Sequence, residues 1–260
     1  MSTTTTIALI ISGLLVGFIN TLAGGGTIIS LSLFMFLGLP PAVANGTNRI
    51  AVIIQNLVAV GNFRKQKIID TDKGIKLAIP TTIGSVIGAS IGANINQRIF
   101  EVSFGIIMLA MLGMLIFKPE KWLKGNQQLA DKPVSLKSHL LFFLIGIYGG
   151  FLHVGVGYFI LAAAVLGSGL NLVKANAIKN LIVLCYVPFS LLVFVINNQV
   201  SWKYGLIHAI GNVIGAYVAS RWAIRYGSNF IRWIMILLIL VSIAQTFGVI
   251  NLQAAIQMVK

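Results

Sequence analysis

The chain has 260 residues, 57% of them hydrophobic and only 9% charged, and carries a net charge of +14. A soluble domain has about 25% charged residues, so this chain cannot cover an aqueous surface and its solvent must be lipid. The single cysteine, Cys185, excludes an intrachain disulfide and a cysteine-based metal cluster, and cations confined to short loops between apolar runs exclude nucleic acid as the partner.

Ten apolar segments are predicted, five per half. Segment 6–22 comes first. No Lys or Arg precedes residue 49, which is unlike a signal peptide, so this span is expected to be retained. It ends at Gly24-Gly25-Gly26-Thr27. A glycine break before a helix leaves N–H groups free at the positive end of the helix dipole, a setting for an anion; close helix packing is the other use of such glycines. Segment 27–39 is about 13 residues long, or roughly 20 Å of helix, too short for a crossing that needs about 20 residues. Pro40-Pro41 closes it and opens segment 44–61, whose first turns read Asn45-Gly46-Thr47-Asn48-Arg49. A basic loop, 62–73, leads to segment 74–94, which contains Pro80, and then to 99–117.

Residues 118–137 are the one long polar stretch and hold five lysines. They divide the chain into a first transmembrane repeat (1–117), a linker (118–137) and a second repeat (138–260). Segment 138–153 ends at His153 and is followed by Gly155-Val156-Gly157. The next segment, 157–169, is again short. Segment 174–195 opens with Asn176-Ala177-Ile178-Lys179-Asn180 and contains Pro188. Segment 204–222, with His208, and segment 230–249 complete the series.

The second half repeats the first at an offset of 131 residues. Gly24 falls on Gly155, Gly26 on Gly157, Gly38-Leu39 on Gly169-Leu170, Ala44-Asn45 on Ala175-Asn176, Gly74 on Gly205 and Gly84 on Gly215. Internal duplication in an apolar chain is the mark of a secondary transporter. If each short segment forms a hairpin or broken helix with its neighbour, three spans remain per half, and the second copy enters from the opposite face. The expected fold is therefore an all-α polytopic membrane protein, an inverted repeat of two five-segment halves with glycine-broken or re-entrant short helices. Thirteen cations then lie on one side, among them Arg64, Lys65 and the 118–137 lysines, against Arg98, Lys203 and Lys260 on the other. The first side is cytoplasmic by the positive-inside rule, which leaves both termini outside the cell membrane.

Polar groups within spans face a partner or a wet cavity. Asn45 and Asn48 share one helical face, as do Asn176, Lys179 and Asn180. Amides and a cation suit a small oxyanion, whereas Arg49 and Lys179 can alternatively snorkel to the interface. Candidate substrate-binding residues are Gly24, Gly25, Gly26, Thr27, Asn45, Thr47, Asn48, Gly155, Gly157, Asn176, Lys179 and Asn180. His153 and His208 are candidates for proton handling, with core packing as the alternative. No segment centre carries a carboxylate, which argues against a cationic substrate. No Gly-Lys dipeptide of a phosphate loop, no His-Glu-x-x-His and no paired intramembrane aspartates occur; neither an enzyme, nor a cofactor, nor a metal is expected.

The glycine break near residue 24, the Gly38-Leu39-Pro40-Pro41 corner, Ala44-Asn45-Gly46-Thr47-Asn48, Gly155-x-Gly157-x-Phe159, Ala175-x-Ala177-x-Lys179 and Val200-x-Trp202 stand in an order that resembles the sulfite exporter TauE/SafE family, also called the toluene-sulfonate uptake permease family. The resemblance spans nearly the whole chain. It implies a bacterial or archaeal inner-membrane permease for sulfite, sulfonates or similar small organic anions. The expected partners are that anion, the bilayer and, as one option, a second copy in a homodimer. The alternatives are an anion channel and a non-transporting subunit that docks a partner through 118–137.

Overall fold

The computed structural model describes residues 1–92, 126–130 and 133–246. The predicted segment 99–117, most of the linker and the end of segment 230–249 lie outside the described residues. Those described form helices and no strand. They are α1 (Thr3–Leu22), α2 (Thr27–Phe36), α3 (Pro41–Lys65), α4 (Thr71–Gly92), a short α5 (Gln127–Ala130), α6 (Leu136–Phe151), α7 (Val156–Ala162, running into a π turn over Ala163–Gly167), α8 (Leu172–Ile196) and α9 (Trp202–Thr246). The last was expected as two spans. It is two helices joined without a loop at Gly227, whose φ of 71° and ψ of −165° are not helical.

Local chemistry explains the boundaries. The Ser2 and Ser135 hydroxyls accept from the N–H groups of Thr5 and Ser138 at the starts of α1 and α6, and the Asn171 side chain does the same for α8, all N-caps. Pro41 takes the first position of α3, where its missing N–H costs nothing. Arg64 and Lys65 sit in the last turn of that helix, against the negative end of its dipole.

The repeat is visible in the backbone itself. Helices α3 and α8 have 25 residues each and start and stop 131 positions apart. Left-handed backbone recurs at the same spacing: Gly24 (φ 90°) with Gly155 (68°), Gly38 (92°) with Gly169 (68°), and Lys67 (55°) with Asn198 (54°). Lys67 and Asn198 close α3 and α8 in the same way, with Ile68 N–H donating to Phe63 O at 3.0 Å and Gln199 N–H to Phe194 O at 2.8 Å, the αL helix stop.

Packing exchanges the halves. Helix α1 lies along α9, and its counterpart α6 lies along α4, the counterpart of the first part of α9; α3 packs on α9 as α8 packs on α4, and α3 meets α8. Each pair of this set maps onto another under the repeat. Helix association in lipid gains nothing from hydrophobic transfer and depends on close contact. Small residues supply it: Gly13 and Gly17 of α1 abut the backbone of His208 and Asn212, while Gly211 and Gly215 of α9 abut Ile10 and Leu14. Gly84 and Gly88 of α4 likewise abut Phe143 and Ile147, and Gly146 and Gly150 of α6 abut Thr81 and Ser85.

Helices α1, α4 and α8 are long and apolar enough to cross a bilayer. Exposed apolar side chains such as Ile7, Ile11 and Leu14 on α1 and Ile79, Ile83 and Val86 on α4 give these helices outward faces suited to lipid. Helix α2 has 10 residues and α7 with its π turn has seven plus five, so neither reaches across about 30 Å of hydrocarbon. Residues 126–130 cover the end of the π turn, with Asn126 N–H donating to Gly169 O at 2.7 Å and the buried Lys73 ammonium donating to Ala130 O. At the matching place in the first half, a Cβ added at Gly38 would meet none of the described residues within 4 Å.

A Cβ added at Gly88 would overlap the Ile147 backbone, whereas one at Gly61 meets nothing within 4 Å. Gly88→Val should therefore destabilise the detergent-solubilised protein by about 1–3 kcal/mol, read as a lower melting temperature, while Gly61→Val should leave it near the parent value.

Candidate functional site

The two glycine breaks meet inside the molecule. Each brings a short helix to its first turn, and Gly24 lies so close to Gly157 that a Cβ on either would overlap the other's backbone. Gly24 and Gly155 also hold the left-handed conformations noted above, which a side chain would strain. Asn20 bridges the first break. Its Oδ1 accepts from Gly26 N–H at 2.7 Å and its Nδ2 donates to Thr27 Oγ1 at 3.3 Å.

Two buried cations brace the breaks from opposite halves. Lys179 of α8 is 1% exposed, and its Nζ donates to the carbonyls of Asn20 and Thr21, at 2.7 and 2.8 Å. These belong to the last turn of α1, where a cation completes the carbonyls left open at a helix C-terminus. Asn180 adds a bond to Thr21 O at 3.1 Å. Across the repeat, Arg49 of α3 is fully buried and donates to Gly149 O and Gly150 O in the last turns of α6 and to Ser190 Oγ at 2.6 Å. Its guanidinium lies over the Phe194 ring, 4.7 Å from the centroid, and Asn45 Nδ2 donates to Phe151 O at 2.9 Å. Neither cation snorkels. Among the described residues neither has a carboxylate partner; the one ion pair there joins the exposed Lys76 and Asp72.

A small cavity of about 10 Å³ sits where these parts converge, room for about one water. Gly24, Gly157 and Lys179 line it together with Asn20, Gln55 and Asn56. His153 also lines it, and its Nδ1 lies 2.8 Å from the Tyr186 hydroxyl. Gln55 Oε1 is buried without a hydrogen-bond partner.

The remaining expected residues divide into two groups. Behind the cavity wall, Gly25 packs on Tyr158, Gly26 and Thr27 are held by Asn20, and Gly155 is the N-cap residue of α7. Asn48, Asn176 and Asn180 are fully buried; both amide atoms of Asn48, Asn176 Nδ2 and Asn180 Oδ1 have no hydrogen-bond partner. Elsewhere, Asn45 serves the α6 terminus, and Thr47 Oγ1 accepts from Ser201 N–H at 2.8 Å, tying α3 to the start of α9. His208 is not at the cavity. Its Nδ1 lies 3.0 Å from Leu9 O and its Nε2 3.2 Å from Ser30 Oγ, with Phe34 edge-on at 5.1 Å. The sequence analysis missed Asn20, Gln55 and Asn56. The signal available was the usual one, an amide inside an apolar run.

The family model described as "Sulfite exporter TauE/SafE" matches residues 9–246. Among curated proteins, the chain is 27% identical to a "Probable membrane transporter protein" of Haemophilus influenzae, over 87% of this chain and 88% of the relative. It is 26% identical to "Probable membrane transporter protein YfcA" of Escherichia coli strain K12, covering 84% of this chain and 81% of the relative, and 26% identical to "Probable membrane transporter protein ORF9" of Sinorhizobium sp., covering 91% and 88%. No solved structure matches significantly.

Arg49 satisfies more groups than Lys179 does. Arg49→Met strands the Gly149 and Gly150 carbonyls and removes the donor to Ser190 Oγ, whereas after Lys179→Met the Asn180 amide still serves Thr21 O. Arg49→Met should lower stability by about 1–3 kcal/mol and Lys179→Met by less, measured as melting temperatures in one detergent.

Proposed function

We propose that this chain, which belongs to the sulfite exporter TauE/SafE family, is a secondary transporter that carries a small oxyanion across the cell membrane by alternating access. The observation that carries the reading is Lys179: a buried ammonium without a carboxylate partner among the described residues, on the wall of a small cavity between two glycine breaks. An ion in that setting gains most from an anionic ligand. The amides of Asn20, Gln55 and Asn56 can donate hydrogen bonds to the same ligand. Its class is sulfite, a sulfonate or another small organic anion.

The size of the cavity favours a carrier over a channel, because a space of about 10 Å³ passes no anion unless one half moves against the other. The breaks and their braces lie on that boundary, so a bound anion there feels both halves. The two halves are antiparallel in this reading, which the thirteen-to-three cation split supports. Loops 62–73 and 118–137 then face the cytoplasm and both termini face outward.

Two measurements test the proposal. In proteoliposomes, counterflow of sulfite, sulfoacetate, taurine or thiosulfate should saturate, and Lys179→Met should weaken apparent affinity about tenfold or more, the worth of a charge-assisted hydrogen bond. Unchanged affinity in the variant would remove Lys179 from the site. In intact cells, cysteines placed singly in 62–73 and 118–137 should both resist an impermeant thiol reagent added outside. Labelling of one loop but not the other would overturn the antiparallel arrangement.

A further inference from the structure

We infer that His153, with Tyr186, carries a proton along with the anion, so that the transporter is a proton–anion symporter. The inference rests on the carrier reading above and adds the coupling ion. Among the described residues no carboxylate is buried: Asp70 and Asp72 are exposed beside the start of α4. A proton-coupled carrier needs a titratable group at its cavity, and of the two buried histidines only His153 lines it.

The geometry suits reversible protonation. His153 Nδ1 and the Tyr186 hydroxyl are 2.8 Å apart. A phenol hydroxyl both donates and accepts, so this bond survives in either state: the hydroxyl donates to a neutral Nδ1 and accepts from a protonated one. His153 is also held at a φ of 59°, uncommon for a residue with a side chain, at the junction of α6 with the second glycine break. Strain of this kind gathers at working sites.

Its charged and titratable neighbours make the coupling. Lys179 lines the same cavity from α8, and Arg49 of α3, bonded to the α6 terminus, also acts on it electrostatically. Among the described residues the other titratable groups beside it are phenols: Tyr186 on α8, and Tyr148 on α6, whose hydroxyl donates to Val154 O at 2.7 Å. With two fixed cations nearby, a further positive charge is balanced only when an anion occupies the cavity. Proton and anion then raise each other's affinity, and linkage makes the effect reciprocal. The proton enters from water on the side where the anion binds, rests on the imidazole as imidazolium during the crossing, and leaves to water where the anion departs.

The test uses thiosulfate and sulfoacetate in proteoliposomes loaded with a fluorescent pH dye. An inward acid gradient should drive accumulation of the wild-type substrate, with proton entry that depends on the anion. Asparagine tolerates positive φ and retains an amide near the position of Nδ1, so His153→Asn preserves the backbone. Its ratio of gradient-driven accumulation to counterflow should fall at least tenfold. A wild-type protein that is active in counterflow but whose net uptake of either anion brings no proton entry overturns the inference while leaving the carrier reading intact, as does a variant whose ratio is unchanged. A wild-type protein that moves neither anion overturns both.

Discussion

The structure depends on two buried cations that each reach across the repeat to the end of a helix in the other half. A helix that stops inside a bilayer leaves its last carbonyls without partners, and no water is there to serve them. Helix α1 stops beside the first glycine break and α6 stops beside the second. Lys179 closes one and Arg49 the other. Without these donors a break buried this far inside the protein would cost several kcal/mol per stranded group. The broken helices and the cross-braces are therefore one feature, and the cavity exists because chain ends rather than continuous helices meet there.

The two braces are not equivalent, and the difference divides labour between them. Arg49 sits one position later in its repeat than Lys179 does in its own. Its planar fork is occupied by two carbonyls and a hydroxyl and lies over Phe194, a fixed geometry of the kind Arg favours. Lys179 is a point charge on a flexible stem with two carbonyl partners, one of them shared with Asn180. It can turn from carbonyls to an anion at small cost. A duplicated scaffold thus holds two unlike cations, both of which fasten one half to the other and one of which, Lys179, also lines the cavity.

Much of this was legible in the sequence where backbone geometry restricts residue choice. Gly24, Gly155, Gly38 and Gly169 recur at 131 residues because all four adopt left-handed backbone, which glycine does without strain. The short helices were legible from length alone. The non-glycine pair Lys67 and Asn198 shares the same conformation; asparagine tolerates it after a helix, but nothing in a lysine signals it. The pairing of α1 with α9 and α4 with α6 was also hidden, since glycines spaced by four announce a close contact without naming the partner. For the site, residue type gave the chemistry but not the direction. Arg49 and Lys179 read equally as snorkelling groups, Asn45 and Thr47 as ligands, and Asn20 as one amide in an apolar run. Which way each points is decided by the packing of helices far apart in sequence.

The central claim is that an anion occupies the meeting place of the two breaks and takes Lys179 from the end of α1. A crystal structure grown with selenite, read by the anomalous scattering of selenium, tests it most directly. The account predicts a selenium peak between Gly24 and Gly157, with an oxygen in hydrogen-bonding reach of Lys179 Nζ and at least one of the Asn20 and Thr21 carbonyls released. Selenium bound at another site, with Lys179 still on both carbonyls, would contradict it.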